Sequence, residues 1–231
     1  MKFSVVIPCY NEEKNLPILF KKLKPLLMNK SCEICLVDNG SIDNTYKVLK
    51  EFESKEESIS ILKIKKNKGY GYGILKGLEA SRGEILAWTH ADIQTNPEDI
   101  LKGIKLFQKY GKNIFVKGNR FGRPISDRLF TFGMSIFVSL TLKKSLWDVN
   151  AQPTMFSSDF FKTWSNAPND FSLDLFCYYS ALNKKIKVYR FPVKFDKRLF
   201  GKSSWNINFI SKLKFIKRTI KFTINLKKNI N

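Results

Sequence analysis

The stretch ISILKIKKNKGYGYGILKGLEASRGEILAWTHADIQTNPEDI, residues 59–100, decides the fold. Two short apolar runs, ISILKI (59–64) and EILAWTH (84–90), flank a glycine-rich segment that opens a helix near Gly71. Strand, helix and strand within so few residues make a βαβ unit, whose crossover brings the two strands back parallel. A further helix follows Asn96-Pro97-Glu98, where proline suits the first helical turn because its missing N–H would be unsatisfied there anyway.

The same alternation extends upstream. FSVVI (3–7) and EICLVDN (33–39) read as strands, with Leu16, Leu19, Leu23 and Leu26 between them at helical spacing and Val48, Leu49 and Phe52 in the next helix. Downstream come a strand at Ile114–Lys117, an amphipathic stretch from Ser126 to Lys144 and a mixed segment from Gln152 to Phe156. A helix over 171–183 and a strand pair in KIKVYRFPVKF (185–195) complete the order. The expectation is an α/β chain with a Rossmann-like, mostly parallel sheet flanked by helices. Residues 1–204 form one domain, and residues 205–231 form a basic amphipathic tail.

In an open parallel sheet, ligands sit beyond the carboxyl ends of the strands. Tyr10, Asn11 and Glu12 follow the first strand, Asp38 ends the second, Asn67 and Gly69 follow the third, and His90 and Asp92 end the fourth. Four strand ends thus deliver polar groups to one rim. His90, Asp92 and Gln94 have a spacing that can hold a divalent ion while leaving positions for phosphate oxygens. Asp38 can accept from a base N–H or a ribose hydroxyl, while NGSIDNT supplies a turn and an N-cap at Ser41 or Asp43.

Composition narrows the partners. Lys and Arg number 41 against 20 Asp and Glu, a formal charge of +21, which predicts an anionic partner. Nucleic acid is not expected, because no helix-turn-helix, zinc-finger or aromatic RNA-binding pattern is present. The four cysteines and the absence of a signal-like start fit a reducing, cytoplasmic location. Cys32 and Cys35, at an odd separation on one strand, should point to opposite faces rather than pair. The longest charge-free run, Leu129 to Leu142, stops short of the ~18 apolar residues of a bilayer span, so interfacial contact is expected instead. From Lys202 to Asn231 there are eight basic and no acidic residues, and Phe209, Leu213, Ile216, Ile220 and Ile224 recur at steps of three and four. Such a helix suits an anionic membrane surface on the inner face of the cell membrane. The alternative is packing on the domain or on a partner subunit in a homo-oligomer.

VVIPCYNEEKNL, VDNGSIDNT, the segment NKGYGYGILKGLEASRGEILAWTHADIQTNPEDI and RLFGKSSWN, in that order, resemble glycosyltransferase family two, and within it the polyprenyl-phosphate (dolichyl-phosphate mannosyltransferase-like) branch. The resemblance implies a GT-A fold and a nucleotide diphosphate sugar donor held by Pro8, Tyr10, Asn11, Glu12 and Asp38, with Asn67, Gly69 and Ser203 near it. It implies Mn²⁺ or Mg²⁺ on His90, Asp92 and Gln94. Arg120, Arg128 and Arg198 would orient a polyprenyl phosphate acceptor during one inverting displacement. Two departures stand out: His90 replaces the usual acidic residue, and DVNAQPTMFS (148–157) replaces the usual D-x-T-S-G-F-R. The competing implications are transfer to a saccharide hydroxyl, with Asp148, Asp170 and Asp174 as candidate bases, and a non-catalytic binding protein of the same fold. Gly201-Lys202-Ser203 fails as a P-loop ending, because residue 196 is Asp where the first glycine belongs.

Overall fold

A computed structural model describes residues 1–201 and 209–228. Seven strands, β1 (Phe3–Cys9), β2 (Cys32–Asp38), β3 (Ile59–Lys63), β4 (Ile85–Trp88), β5 (Ile114–Phe121), β6 (Thr154–Ser157) and β7 (Lys187–Lys194), form one sheet. The helices are α1 (Leu16–Leu27), α2 (Thr45–Glu53), α3 (Tyr70–Ala80), α4 (Asp99–Tyr110), α5 (Ile125–Leu142), α6 (Ser158–Lys162), α7 (Leu173–Asn183) and α8 (Phe209–Lys228). The strand order is β3-β2-β1-β4-β6-β5-β7. β6 alone runs antiparallel, to β4 and β5; every other pairing is parallel. The four strands expected from the first half of the sequence therefore lie side by side.

Two apolar layers cover the sheet. Val5, Ile7, Ile34 and Leu36 face α1 and α4 residues such as Leu19, Leu23, Ile104 and Phe107, while Val6, Val37, Leu86 and Trp88 face Ile74, Leu78 and Leu175 on the other side. Cys32 falls in the first layer and Cys35 in the second, as the odd spacing requires. All four cysteines are free and buried, and burial pushes the Cys32 thiol up to about 12. Gly77 lets α3 lie close on the sheet, since a Cβ there would sit 2.3 Å from Val6 Cγ1.

Three expectations change. KIKVYRFPVKF gives one strand, not a pair, and β7 pairs in parallel with β5 along its whole length. Pro192 lies within it, tolerated because β7 is an edge strand whose missing donor leaves no ladder bond broken. The second change is α5: it begins before the charge-free run and carries Asp127 and Arg128, yet by length and composition it is apolar enough to cross a membrane. The third is the orientation of α8. It packs on α5 and the α7 end through Phe215, Thr219, Phe222, Thr223 and Leu226, whereas Leu213 and Ile224 of the expected stripe are exposed and Ile216 and Ile220 are half-buried.

Candidate active site

The loop after β1 turns back through Asn11, a non-glycine residue at φ 55°. Its Oδ1 accepts from Ile42 N–H at 2.9 Å, and its own N–H donates to Ser41 Oγ at 3.1 Å. Glu12 N–H donates to Thr45 Oγ1 at 2.7 Å, and buried Asp38 Oδ1 accepts from Ser41 N–H at 3.0 Å. Asn11 thus braces the β1 loop against the β2 loop, Asp38 holds the β2 turn to itself, and neither is among the residues that line the cavity. Asn39 does line it: its Nδ2 donates to the Gly69 carbonyl at 3.0 Å, and its buried Oδ1 has no partner. Gly69 takes φ 117° and approaches the 169–170 backbone so closely that a Cβ would lie 2.3 Å from the Asn169 carbonyl oxygen.

The cavity is about 530 Å³. Its strand-end side carries Pro8, Tyr10, Glu12, Asn39, Asn67, Gly69, His90, Asp92 and Gln94. The other side is built from α5 (Phe130, Thr131, Met134, Ser135, Val138), the α7 end (Phe171, Leu175) and α8 (Phe215, Arg218, Thr219), with Arg120, Arg123 and Arg198 along it.

At the end of β4 the backbone of Ile93 is held at φ 62°, an outlier for a β-branched residue that costs about 1–3 kcal/mol and is tolerated where surroundings over-determine it. The resulting turn lets Asp92 Oδ1 accept from Gln94 N–H at 3.1 Å. Asp92 Oδ2 is bonded by Arg198, whose guanidinium also stands 3.7 Å from Glu12 Oε1. Burial raises the Glu12 carboxyl to about 7, against the pull of the Asn15 hydrogen bond and with the nearby Asp92 charge adding to it. Burial also pushes His90 below its ordinary value, keeping a neutral imidazole. From His90 a stack of flat groups crosses the cavity wall: Tyr70 at 5.7 Å, Phe171 at 4.5 Å from Tyr70, then Arg218 at 5.2 Å from both Phe171 and Phe215.

The acidic candidates downstream are already engaged. Asp148 accepts from Arg120 Nε and Nη2 at 2.9 and 2.5 Å and from Arg120 N–H at 2.9 Å, with Arg123 at 3.5 Å. Burial would raise the Asp148 pKa, but the charge and hydrogen bonds of Arg120 outweigh it and hold the carboxyl below its usual value. Asp174 is buried, accepts from Gln152 Nε2 at 2.7 Å and faces Lys117 Nζ at 3.9 Å. Lys117 is fully buried and donates to Ala151 O and Thr154 Oγ1, both at 2.8 Å; burial lowers its pKa to about 8 even with Asp174 nearby. Asp170 Oδ2 lies 3.7 Å from Arg218 Nε.

Of the residues expected from sequence, the cavity gathers Pro8, Tyr10, Glu12, Asn67, Gly69, His90, Asp92, Gln94, Arg120 and Arg198. Exposed Asn11 and buried Asp38 are outside its lining, Arg128 is exposed and outside it, and Ser203 lies outside the described residues. Asn39, Tyr70, Arg123, Phe171 and Arg218 were not anticipated. Asn39 stood beside Asp38 in the same strand end; Arg218 carried no signal, because its place depends on how α8 rotates.

Among the described residues no three His, Cys, Asp or Glu side chains form a metal cage. The donors present, one carboxylate, one neutral imidazole and the Gln94 amide oxygen, fit an ion that completes its shell with phosphate oxygens.

The glycosyl transferase family 2 pattern matches residues 4–173. A dolichol-phosphate mannosyltransferase of Pyrococcus furiosus is 32% identical over 150 residues, covering 62% of this chain and 42% of that protein. An undecaprenyl-phosphate 4-deoxy-4-formamido-L-arabinose transferase of Pseudomonas aeruginosa is 39% identical over 101 residues, 42% of this chain and 30% of that one. The chain thus spans less than half the length of these two relatives. Among solved structures, glucosyl-3-phosphoglycerate synthase of Mycobacterium tuberculosis in complex with Mn²⁺, uridine diphosphate and phosphoglyceric acid has a TM-score of 0.74. It is 16% identical and covers 98% of this chain and 78% of that one, a likeness of fold. With the family pattern running through most of the sequence and the GT-A architecture beneath it, the chain belongs to glycosyl transferase family 2.

Proposed function

We propose that the protein moves a sugar from a nucleoside diphosphate donor onto the phosphate of a polyprenyl lipid at the inner face of the cell membrane, with inversion at the anomeric carbon. The observation that carries this reading is the composition of one cavity: strand-end amides and carboxylates on one side, and on the other arginines followed by the apolar side chains of α5, α7 and α8. The similarity to a dolichol-phosphate mannosyltransferase and to an undecaprenyl-phosphate 4-deoxy-4-formamido-L-arabinose transferase supports the acceptor class.

The donor's nucleotide lies against Pro8, Tyr10 and Asn39, whose unpartnered Oδ1 is suited to a base or ribose donor group. A divalent ion held by Asp92, His90 and Gln94 would offset the charge of the departing diphosphate. Arg198 releases Asp92 as the donor enters and turns its guanidinium to the phosphates, which it binds through two parallel donors. The acceptor's phosphate oxygen, already ionised at neutral pH, attacks the anomeric carbon opposite the leaving group; the new C–O bond forms as the bond to the nucleoside diphosphate breaks. No general base is needed. The engagement of Asp148 by Arg120 and of Asp174 by Gln152 and Lys117 agrees with that and disfavours a hydroxyl acceptor deprotonated by either.

The membrane contact is the outer face of α5 and α8. Ile125, Leu129, Phe132, Ile136 and Leu140 form an exposed ridge at steps of three and four, and α8 alongside exposes Ile210, Leu213 and Ile224 among Lys214, Lys217, Lys221, Lys227 and Lys228. Each large apolar side chain that leaves water contributes about 1.5–3 kcal/mol, and each surface lysine near anionic lipid about 1 kcal/mol. The reading is tested by presenting the protein with vesicles containing undecaprenyl phosphate and a panel of nucleotide sugars, with Mn²⁺ or Mg²⁺. Sugar on the lipid phosphate is expected; transfer confined to saccharide hydroxyls overturns it.

A further inference from the structure

We infer that Arg123 and Arg218, two arginines outside the family's motif, are the specificity-determining pair that receives the acceptor's phosphate, with the apolar wall between them taking the start of its hydrocarbon chain. The inference rests on the lipid-phosphate reading and narrows it to named side chains.

The arginines around the cavity are not equivalent. Arg120 is spent on Asp148, with Nε and Nη2 both donated to one carboxylate oxygen. Arg190 is likewise spent, donating to the carbonyls of Gly118 and Trp147. Arg123, Arg198 and Arg218 line the cavity, and in each the Nε is buried with no hydrogen-bond partner; Arg198 is bonded to Asp92 at the strand-end rim, which leaves Arg123 and Arg218 beside the apolar wall. Arg123 is steadied by Thr131 Oγ1, to which Nη1 donates at 2.9 Å, and its contact with Asp148 is a longer 3.5 Å. Arg218 lies over both Phe171 and Phe215, its guanidinium carbon 5.2 Å from each ring centre, and its Nε is 3.7 Å from Asp170, beyond hydrogen-bond length. A buried N–H without an acceptor is unfavourable, and two guanidiniums that line one cavity and are not fully engaged suit an anion with several acceptor oxygens. A phosphate monoester meets that need. Guanidinium planes held in place bind it through paired N–H groups in a way that a lysine cannot reproduce.

The remaining lining says what is attached to the phosphate. Phe130, Met134 and Val138 of α5 and Leu175 of α7 stand beside Phe215, a surface suited to a hydrocarbon chain rather than to the hydroxyls of a sugar phosphate. Sequence could not indicate this pair, since α8 supplies one member from the far end of the chain.

The test measures binding of farnesyl phosphate and of farnesol, which differ only in the phosphate, to the full chain and to Arg123→Lys, Arg218→Lys and, as a control on the distant α1 surface, Lys21→Gln. The wild type should bind the phosphate at least about tenfold more tightly than the alcohol. Each arginine variant should lose about tenfold of that preference while its affinity for farnesol is kept. Absence of the preference in the wild type, its persistence in either arginine variant, or an equal fall for both ligands overturns the assignment. Failure of the transferase reading looks different: an arginine-dependent preference with no sugar delivered to undecaprenyl phosphate.

Discussion

The half of the sheet made of β3, β2, β1 and β4 and the half that carries β5, α5 and α8 treat their apolar residues in opposite ways. In β1 and β2 nearly every residue is buried, with Val5, Ile7, Ile34 and Leu36 in one layer and Val6, Cys35 and Val37 in the other. Along α5, by contrast, Ile125, Leu129, Phe132 and Leu140 stand in solvent, and only Ser135, Val138 and Leu142 are buried. The first half is a finished core that holds polar groups at fixed places. The second half has an outer face that water does not satisfy, which a bilayer would complete.

The sharpest break in this comparison is Asp92→Ala. The substitution should reduce transfer roughly a thousandfold, several kcal/mol of transition-state stabilisation, while the urea midpoint moves little. Turnover near that of the wild type would separate the strand-end rim from the chemistry. Next comes Lys117→Met, expected to cost about 3 kcal/mol because Asp174 would be left buried without its countercharge, measured by chemical denaturation. The same residue predicts a pH trend. Its folded pKa, about 8, lies below the ordinary 10.5, so the unfolded chain holds the proton more tightly between those values. The wild type should therefore gain stability from this group as pH rises from about 8 to about 10.5, and the variant should lose that slope.

A smaller effect is expected from Gly77→Ala, about 1–3 kcal/mol, because the added methyl would meet Val6 and Val37. The smallest change in stability, within about 0.5 kcal/mol, belongs to Leu129→Glu combined with Leu140→Glu, since both side chains are exposed. That double variant should nevertheless sediment poorly with anionic vesicles. Undiminished sedimentation would mean that the ridge does not face lipid.

The first half was legible in the sequence because burial on both faces demands continuous apolar runs, and such runs recur between helices of the right length. The rim followed from strand order. The turn contacts of Asn11 and Asp38 were not legible, because the same side chains at a strand end can accept from a neighbouring N–H or from a ligand; here they accept from Ile42 and Ser41. The direction of β6 and the rotation of α8 were not legible either. Both are settled by long-range packing: β6 by pairing between β4 and β5, and α8 by the fit of Phe215 and Phe222 against distant elements.

Helix α3 rests on the sheet and beside residues 168–170 at places where its side chains are missing: Gly77 over Val6, Gly73 against Asn39, and Gly71 against the Pro168 carbonyl. A single methyl at any of these would act as a shim, tilting the helix and widening the gap in which a ligand must fit. The gauge of the crevice is thus set by omitted atoms, and altered donor preference should be sought at these three glycines as readily as among the polar groups that face the ligand.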